Sequence, residues 1–336
     1  MKYFVVTFGC QMNESDSQKI ASVLEKKNYS PAPEMSSADL IVINMCSVRQ
    51  SAVNRVYGIL KNIKEANPKV KTILTGCILK KDRRKFEKLF DEIIKIEDLT
   101  DVPVHRYEKG KPAMIPIMTG CNNFCSYCVV PYTRGREKSR PHEEIICEIK
   151  KLVENGVKEI WLLGQNVNSY ANIPFSELLR KIDDLKGDFI IKFTSSHPKD
   201  FSDDLISAIK ESKKVAHYLN LPVQSGDNEI LKKMNRPYTV KQYLDLVKKI
   251  RKEIPDILLS TDVIVGFPGE TEEQFQNTVK LFKKVQYDMA YINKYSPRSE
   301  TMAEKLEDNV SQQEKKRREK ILNDLIIKKG TYVKIK

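Results

Sequence analysis

Short apolar runs alternate along this chain with amphipathic stretches of helical period, and that alternation narrows the fold more than any other feature. Such an order implies parallel strands joined by crossover helices that cover the sheet. In the first hundred residues it predicts strands over 3–8, 40–45 and 70–74, followed by helices over 15–27, 51–65 and 83–94. A polar stretch at 98–111, with Pro103 and Gly110, then breaks the pattern. The alternation restarts with strands expected over 113–118, 159–163, 189–194, 216–221, 258–266 and 289–295. Helices are expected between them over 143–155, 175–185, 203–211, 240–254 and 272–285. The last opens on a capping box, Thr271-Glu-Glu-Gln274. The expected class is α/β: a parallel α/β sheet domain (residues 1–105), then an open partial (β/α)6 barrel (110–310). A basic C-terminal segment (311–336) follows. An open barrel leaves a lateral cleft that suits a large substrate.

A chain of 336 residues with 40% hydrophobic content can bury two cores. The start, MKYFVVTFGCQMNESD, is too short in its apolar run for a secretory signal, and no stretch reaches membrane-spanning length. The expectation is a cytoplasmic protein with no membrane attachment. The net charge of +13 fits a polyanionic partner, although lysine-rich surfaces also occur without one. The charge concentrates in KKDRRKFEK (80–88) and in the tail 312–336, which has nine basic residues against Glu314, Glu319 and Asp324.

Seven cysteines, an odd number, argue against a disulfide framework. Cys121, Cys125 and Cys128 are spaced Cys-x3-Cys-x2-Cys, just past the first strand of the second unit. Iron–sulfur clusters are held by thiolates, normally four. Three on one loop leave one iron open to the amino and carboxylate groups of S-adenosylmethionine (SAM), whose sulfonium bond an electron could then break to release a 5′-deoxyadenosyl radical. The alternative is zinc, which in structural sites takes four ligands. No fourth cysteine or histidine lies nearby; His142 is the nearest. Tyr127, between the last two cysteines, could stack on adenine or simply pack in the loop. Cys10, Cys46 and Cys77 each fall one to three residues beyond an expected N-terminal strand. Ligands bind beyond the carboxyl ends of parallel strands, so these three could form a second cluster site. Alternatively they are small buried residues. Cys147, within IICEIKKLV, is expected to be structural on the core face of a helix.

CNNFCSYCVVPYTRGREKSRP (121–141) closely resembles the radical SAM motif of the tRNA methylthiotransferase (MiaB) family. LLGQNVNSY (162–170), TSSHPKD (194–200), LPVQSGDNEILKKMNRPYT (221–239), STDVIVGFPGETEEQF (260–275) and KYSPRSETMAEKL (294–306) also match, so the resemblance covers nearly the whole chain. It implies two [4Fe-4S] clusters, on Cys121, Cys125 and Cys128 and on Cys10, Cys46 and Cys77, with SAM as cosubstrate. The implied reaction adds a methylthio group at carbon 2 of isopentenyladenosine beside the anticodon. That carbon carries no acidic proton, so a general base could not activate it. Related branches act on threonylcarbamoyl adenosine in tRNA or on a ribosomal protein residue. Implied partners are the tRNA anticodon stem-loop and an electron donor, either a reductase or a ferredoxin or flavodoxin, with the enzyme a monomer. Gly164, Gln165 and Asn166 resemble the segment that holds the methionine end of SAM. Ser195, Ser196 and His197, Gln224 and Ser225, and Gly266 follow later strands at the expected catalytic rim. Turn chemistry is the competing reading for each. Arg134 and Arg136 could pair with a carboxylate or phosphate, or form a solvated basic loop. His105, His142 and His217 show no ligand spacing. Relatives continue into a TRAM β-barrel where this sequence stops at KKGTYVKIK. Phosphate contacts from KKRREK (315–320) and 328–336 are then expected to take over part of its role. A reading of another class is a zinc-bearing RNA-binding module without catalysis.

Overall fold

The structure, a computed structural model, describes residues 1–48, 50–100 and 110–327. The expected boundary at 98–111 lies mostly outside these residues, as do His105 and the basic stretch 328–336.

The N-terminal sheet contains β1 (Lys2–Thr7), β2 (Ser30–Pro31), β3 (Leu40–Cys46), β4 (Lys71–Cys77) and β5 (Glu92–Ile93). All pair in parallel in the order β2-β1-β3-β4-β5. Central β3, LIVINMC, is buried at every position because helices cover both faces of the sheet. Ile41, Ile43 and Met45 face α2 (Gln50–Ala66), packing with its Val53, Val56, Leu60 and Ile63. Leu40 and Val42 join Ile20 and Leu24 of α1 (Gln11–Lys26) and Ile96 of α4 (Ile96–Thr100) on the other side.

The helix expected over 83–94 is a correction. The chain forms α3 (Lys80–Phe86), the short strand β5, and then α4. Asp91 explains the break. Its carboxylate accepts from both the backbone N–H and the hydroxyl of Thr72 at 2.7 Å, which draws the chain alongside β4.

The second unit contains β6 (Ala113–Pro116), β7 (Met118–Thr119), α5 (Val130–Thr133), β8 (Lys138–Ser139), α6 (His142–Glu154), β9 (Glu159–Leu163), α7 (Phe175–Asp183) and β10 (Ile190–Phe193). It continues with α8 (Asp203–Glu211), β11 (Tyr218–Asn220), α9 (Asn228–Lys233), α10 (Val240–Glu253), β12 (Leu258–Val265), α11 (Glu272–Val285), β13 (Met289–Lys294) and α12 (Gln312–Ile327). Two parallel sheets, β6-β9-β10 and β11-β12-β13, are joined by an Ile191–Val215 bridge into one curved wall. Strands β6 and β13 are its two edges, as an open six-stranded barrel requires. The Thr271 capping box is present, with Thr271 and Gln274 bonding reciprocally. Antiparallel pairing of β7 with β8 pinches together the ends of the loop 120–137.

Helix α12 packs on β13 and α11, which takes Lys315 and Arg318 of KKRREK out of reach of a phosphate and leaves Lys316, Arg317 and Lys320 exposed. Lys315 is fully buried on Asp308, Arg318 pairs with Glu270 and Glu314, and Arg317 pairs with Glu272 and Glu314. These three basic groups anchor the helix to the barrel. Lys316 and Lys320 remain on the exposed side. Cys147 is a second correction. Ile145, Ile149 and Leu152 turn toward the core, which puts Cys147 on the opposite, exposed face of α6. Among the described residues no helix is long and apolar enough to cross a membrane.

Candidate active site

The Cys121 loop leaves β7 through Gly120, which adopts φ +81° and donates its N–H to Gln165 Oε1 at 2.6 Å. A Cβ on Gly120 would lie 2.1 Å from the Arg136 carbonyl oxygen, so glycine lets the two strands of the loop cross closely. Cys121 N–H bonds to Gly135 O, and Cys128 N–H turns back onto Cys125 O at 2.9 Å. The segment after α9 grips the loop from the barrel side. Ser126 bonds to Lys233 and Met234 carbonyls, and Asn235 Nδ2 donates to the carbonyls of Asn123 and Phe124. Buried Arg236 donates to Cys125 Sγ at 3.4 Å, and also to Tyr238 and the Pro222 carbonyl. Burial, then the neighbouring Cys125 sulfur, pushes the Cys128 thiol up to about 12; the same two causes raise Cys121.

The N-terminal cysteines also converge. Cys46 and Cys77 end adjacent strands and face each other in register. Cys10 is the N-cap of α1, three residues beyond β1. A hydrogen bond from Cys46, then the Arg134 guanidinium, pulls the Cys77 thiol below its ordinary value. The same contact with Cys77, together with burial, raises Cys46. Beneath them Asn13 and Asn44 clasp side chain to side chain at 2.9 Å, tying α1 to β3.

Arg134 spans the two units. Its Nε donates to Cys77 Sγ at 3.0 Å and its Nη2 to Asp16 at 2.7 Å, with both charged side chains under 10% exposed. On the other side Arg298 reaches Asp82 at 3.1 Å and Gln50, again buried. Arg136 instead lies over the Phe124 ring at 4.3 Å. Beside Cys128 is a cavity of about 590 Å³, which the segment just past Cys46 also lines. Tyr127, Cys128 and Val130 line it from the loop, Val48, Gln50 and Ser51 from beyond Cys46, and Gln224, Asp262, Ile264 and Tyr295 from the barrel.

The rim residues divide by what they touch. Gln165 holds the triad loop, and Gly164 is pressed against Met118, where a Cβ would lie 2.6 Å from its side chain. Asn166 bonds to Asp200 through Nδ2 at 2.8 Å and leaves its Oδ1 buried without a partner. Ser196 Oγ and His197 Nε2 are likewise buried and unpaired. Burial, then Arg236 and Lys199, holds the His197 imidazole down to about 2, so it is neutral. Ser195 and Gln224 both take left-handed backbone at the rim, φ +64° and +69°. Gly266 gives its N–H to Glu270 and lies under the Lys315 side chain, so its surroundings are α12 and not the triad. Sequence reasoning missed Arg236, Asn13 and the Arg298–Asp82 pair. Arg236 lies inside a stretch singled out above, but nothing local marks its partner more than a hundred residues away.

The donor sets fit iron–sulfur clusters. Each comprises three thiols and no fourth cysteine. Among the described residues no three His, Cys, Asp or Glu side chains are gathered as a single ion would need. A cluster spreads its thiolates over different irons and asks for no such grouping. The unpaired polar atoms at the rim suit a polar ligand such as SAM.

An open parallel barrel with a three-cysteine loop at the carboxyl end of its first strand defines the radical SAM class of fold. Residues 115–282 match the radical SAM superfamily, and residues 2–96 match an uncharacterized protein family, UPF0004. Two solved structures are alike in fold. The radical S-adenosylmethionine methyltransferase TsrM from Kitasatospora setae, with cobalamin and a [4Fe-4S] cluster bound, matches at TM-score 0.63 and 14% identity, over 90% of this chain and 76% of that one. The cobalamin-dependent radical enzyme OxsB matches at TM-score 0.60 and 11% identity, over 97% of this chain and 56% of that one. Curated relatives are much closer in sequence. The tRNA-2-methylthio-N(6)-dimethylallyladenosine synthase of Clostridium botulinum is 43% identical, over 98% of this chain and 83% of that protein. The enzyme of the same name from Carboxydothermus hydrogenoformans is also 43% identical, over 94% and 81%. The chain belongs to the MiaB family of radical SAM methylthiotransferases. The family's cofactors are [4Fe-4S] clusters and SAM.

Proposed function

We propose that this protein adds a methylthio group to carbon 2 of isopentenyladenosine next to the anticodon of tRNA. The observation that carries this is the cavity lined by Cys128 and its neighbours together with residues just past Cys46, because the reaction needs radical formation and sulfur delivery at one base. Cys121, Cys125 and Cys128 hold the radical-forming cluster in this reading, and Cys10, Cys46 and Cys77 the second. When bound, the clusters and SAM supply one-electron cleavage of the sulfonium, the sulfur atom and the methyl group. The chain's own residues fix where this happens. Gln165, Asn235 and Arg236 hold the first loop, and Asn13 and Asn44 brace the second. Asn166, Ser196 and His197 offer unpaired polar atoms to SAM, and Tyr127 lines the cavity. Apolar Val48, Val130 and Ile264 in a mixed lining can receive an isopentenyl chain, and the names of the curated relatives favour this substrate over threonylcarbamoyl adenosine.

The sequence-based division at 1–105, 110–310 and 311–336 is retained as part of this reading, with Gln312–Ile327 of the last segment a helix docked on the barrel. We place the enzyme in the cytoplasm as a monomer drawing electrons from a ferredoxin, flavodoxin or reductase. The test is anaerobic reconstitution followed by iron and sulfide analysis. Wild type should hold two clusters' worth, and variants with either triad replaced by alanine should hold one. Stoichiometric zinc with no sulfide would refute the reading.

A further inference from the structure

The loop that carries the first triad also carries an arginine that touches the second. Five residues separate Cys128 from Arg134, and α5 spans four of them. Arg134 Nε lies 3.0 Å from Cys77 Sγ, and Nη2 lies 2.7 Å from Asp16 on α1. Both side chains are nearly inaccessible, at 5% and 8% exposure. A fork aimed at sulfur with one arm and locked by a carboxylate with the other is a fixed donor, because the planar guanidinium cannot swing without breaking both contacts. Nothing else among the described hydrogen bonds gives Cys77 Sγ a charged donor. Cys10, by contrast, faces the neutral Asn13 amide. Hydrogen bonds to cluster sulfurs, net charge and solvent exposure set the potential of an iron–sulfur centre. Reduction adds negative charge, so a buried cation bonded to a ligand sulfur stabilises the reduced form.

We propose that Arg134 is a positioning residue of the radical SAM domain that raises the reduction potential of the cluster on Cys10, Cys46 and Cys77. The inference rests on the second-cluster reading. The couple concerned is a one-electron reduction of the cluster by an external reductant, with no bond made or broken in the protein. Asp16 opposes Arg134 in charge while aiming it. The two residues therefore predict shifts of opposite sign, which a purely structural clasp would not produce.

The experiment uses the full chain with Cys121, Cys125 and Cys128 replaced by alanine, reconstituted anaerobically, so that only the N-terminal cluster is present. Iron and sulfide content tests the reading itself; protein that binds no cluster in this background overturns the reading, and the inference falls with it. Dithionite redox titration followed by electron paramagnetic resonance then tests Arg134. Arg134→Gln should move the midpoint to more negative values by at least tenfold in the reduction equilibrium, about 59 mV for one electron. Asp16→Asn should move it to more positive values. An unmoved midpoint in Arg134→Gln, or equal negative shifts in both variants, overturns the proposal. If Arg134→Gln loses its iron, Arg134→Lys decides. It keeps the charge without the fork, and should hold the cluster with a smaller negative shift. A midpoint equal to the parent's would then overturn the role of the N–H···S bond.

Discussion

Alanine at position 120 tests whether close backbone approach builds the Cys121 loop. Its Cβ would lie 2.1 Å from the Arg136 carbonyl oxygen and 2.5 Å from the carbonyl carbon, both backbone atoms that no rotamer change can move. Two costs add. Left-handed backbone at φ +81° costs an L-residue about 1–2 kcal/mol. Forcing a methyl group into packed atoms costs about 1–3 kcal/mol more. The expected loss is therefore about 2–5 kcal/mol. Gly135, on the same loop at φ +73° with nothing within 4 Å of its would-be Cβ, pays only the first cost. The assay is urea unfolding followed through Trp161, the chain's one tryptophan, which sits in β9 of the barrel. Gly120→Ala should lose clearly more stability than Gly135→Ala, and should also retain less iron at the first site. Equal losses in the two variants would refute the idea that the crossing at Gly120 shapes the loop.

Asp82→Ala removes the partner of Arg298, both under about 10% exposed, and leaves a buried cation; unfolding should show a loss of about 3–5 kcal/mol. Removing the exposed partner Glu272 from Arg317 should cost less than about 1 kcal/mol in the same assay. His197, held down to about 2 from an ordinary 6.5, favours the folded state fully above pH 6.5 and loses that contribution as pH falls. By pH 4.5 the loss reaches about 2–3 kcal/mol, and His197→Asn should flatten the stability profile between these pH values. Cys121→Ala should abolish SAM cleavage, whereas Cys46→Ala should spare cleavage and stop methylthiolation. Methylthiolated product from the Cys46 variant would contradict the second-cluster role.

Much of the architecture was legible because its causes are local. Strand β3 reads as a buried strand from its own composition, and the Thr271 box announces α11. The first triad was legible because all three cysteines lie on one loop. The second was legible only through the equivalent placement of Cys10, Cys46 and Cys77 after successive parallel strands. What escaped is long-range. Asp91 reaches back to Thr72 to break a stretch with helical pattern, and Lys315, Arg318 and Arg317 of α12 pair with Asp308, Glu270 and Glu272. That Arg134 could pair with a carboxylate was legible, but its partner Asp16 and its contact with Cys77 were not, because both lie more than fifty residues away. Cys147 was misplaced by half a helical turn, since the periodicity of Ile145, Ile149 and Leu152 already assigns it outward.

The most direct measurement of the central claim is a mass-spectrometric census of tRNA nucleosides. The chain would be expressed in a bacterial host that isopentenylates its tRNA but cannot methylthiolate it. Methylthio-isopentenyladenosine should appear with the wild-type chain and be absent with Cys121→Ala. Unchanged isopentenyladenosine, in cells that hold soluble protein with both clusters in place, would contradict the assigned substrate.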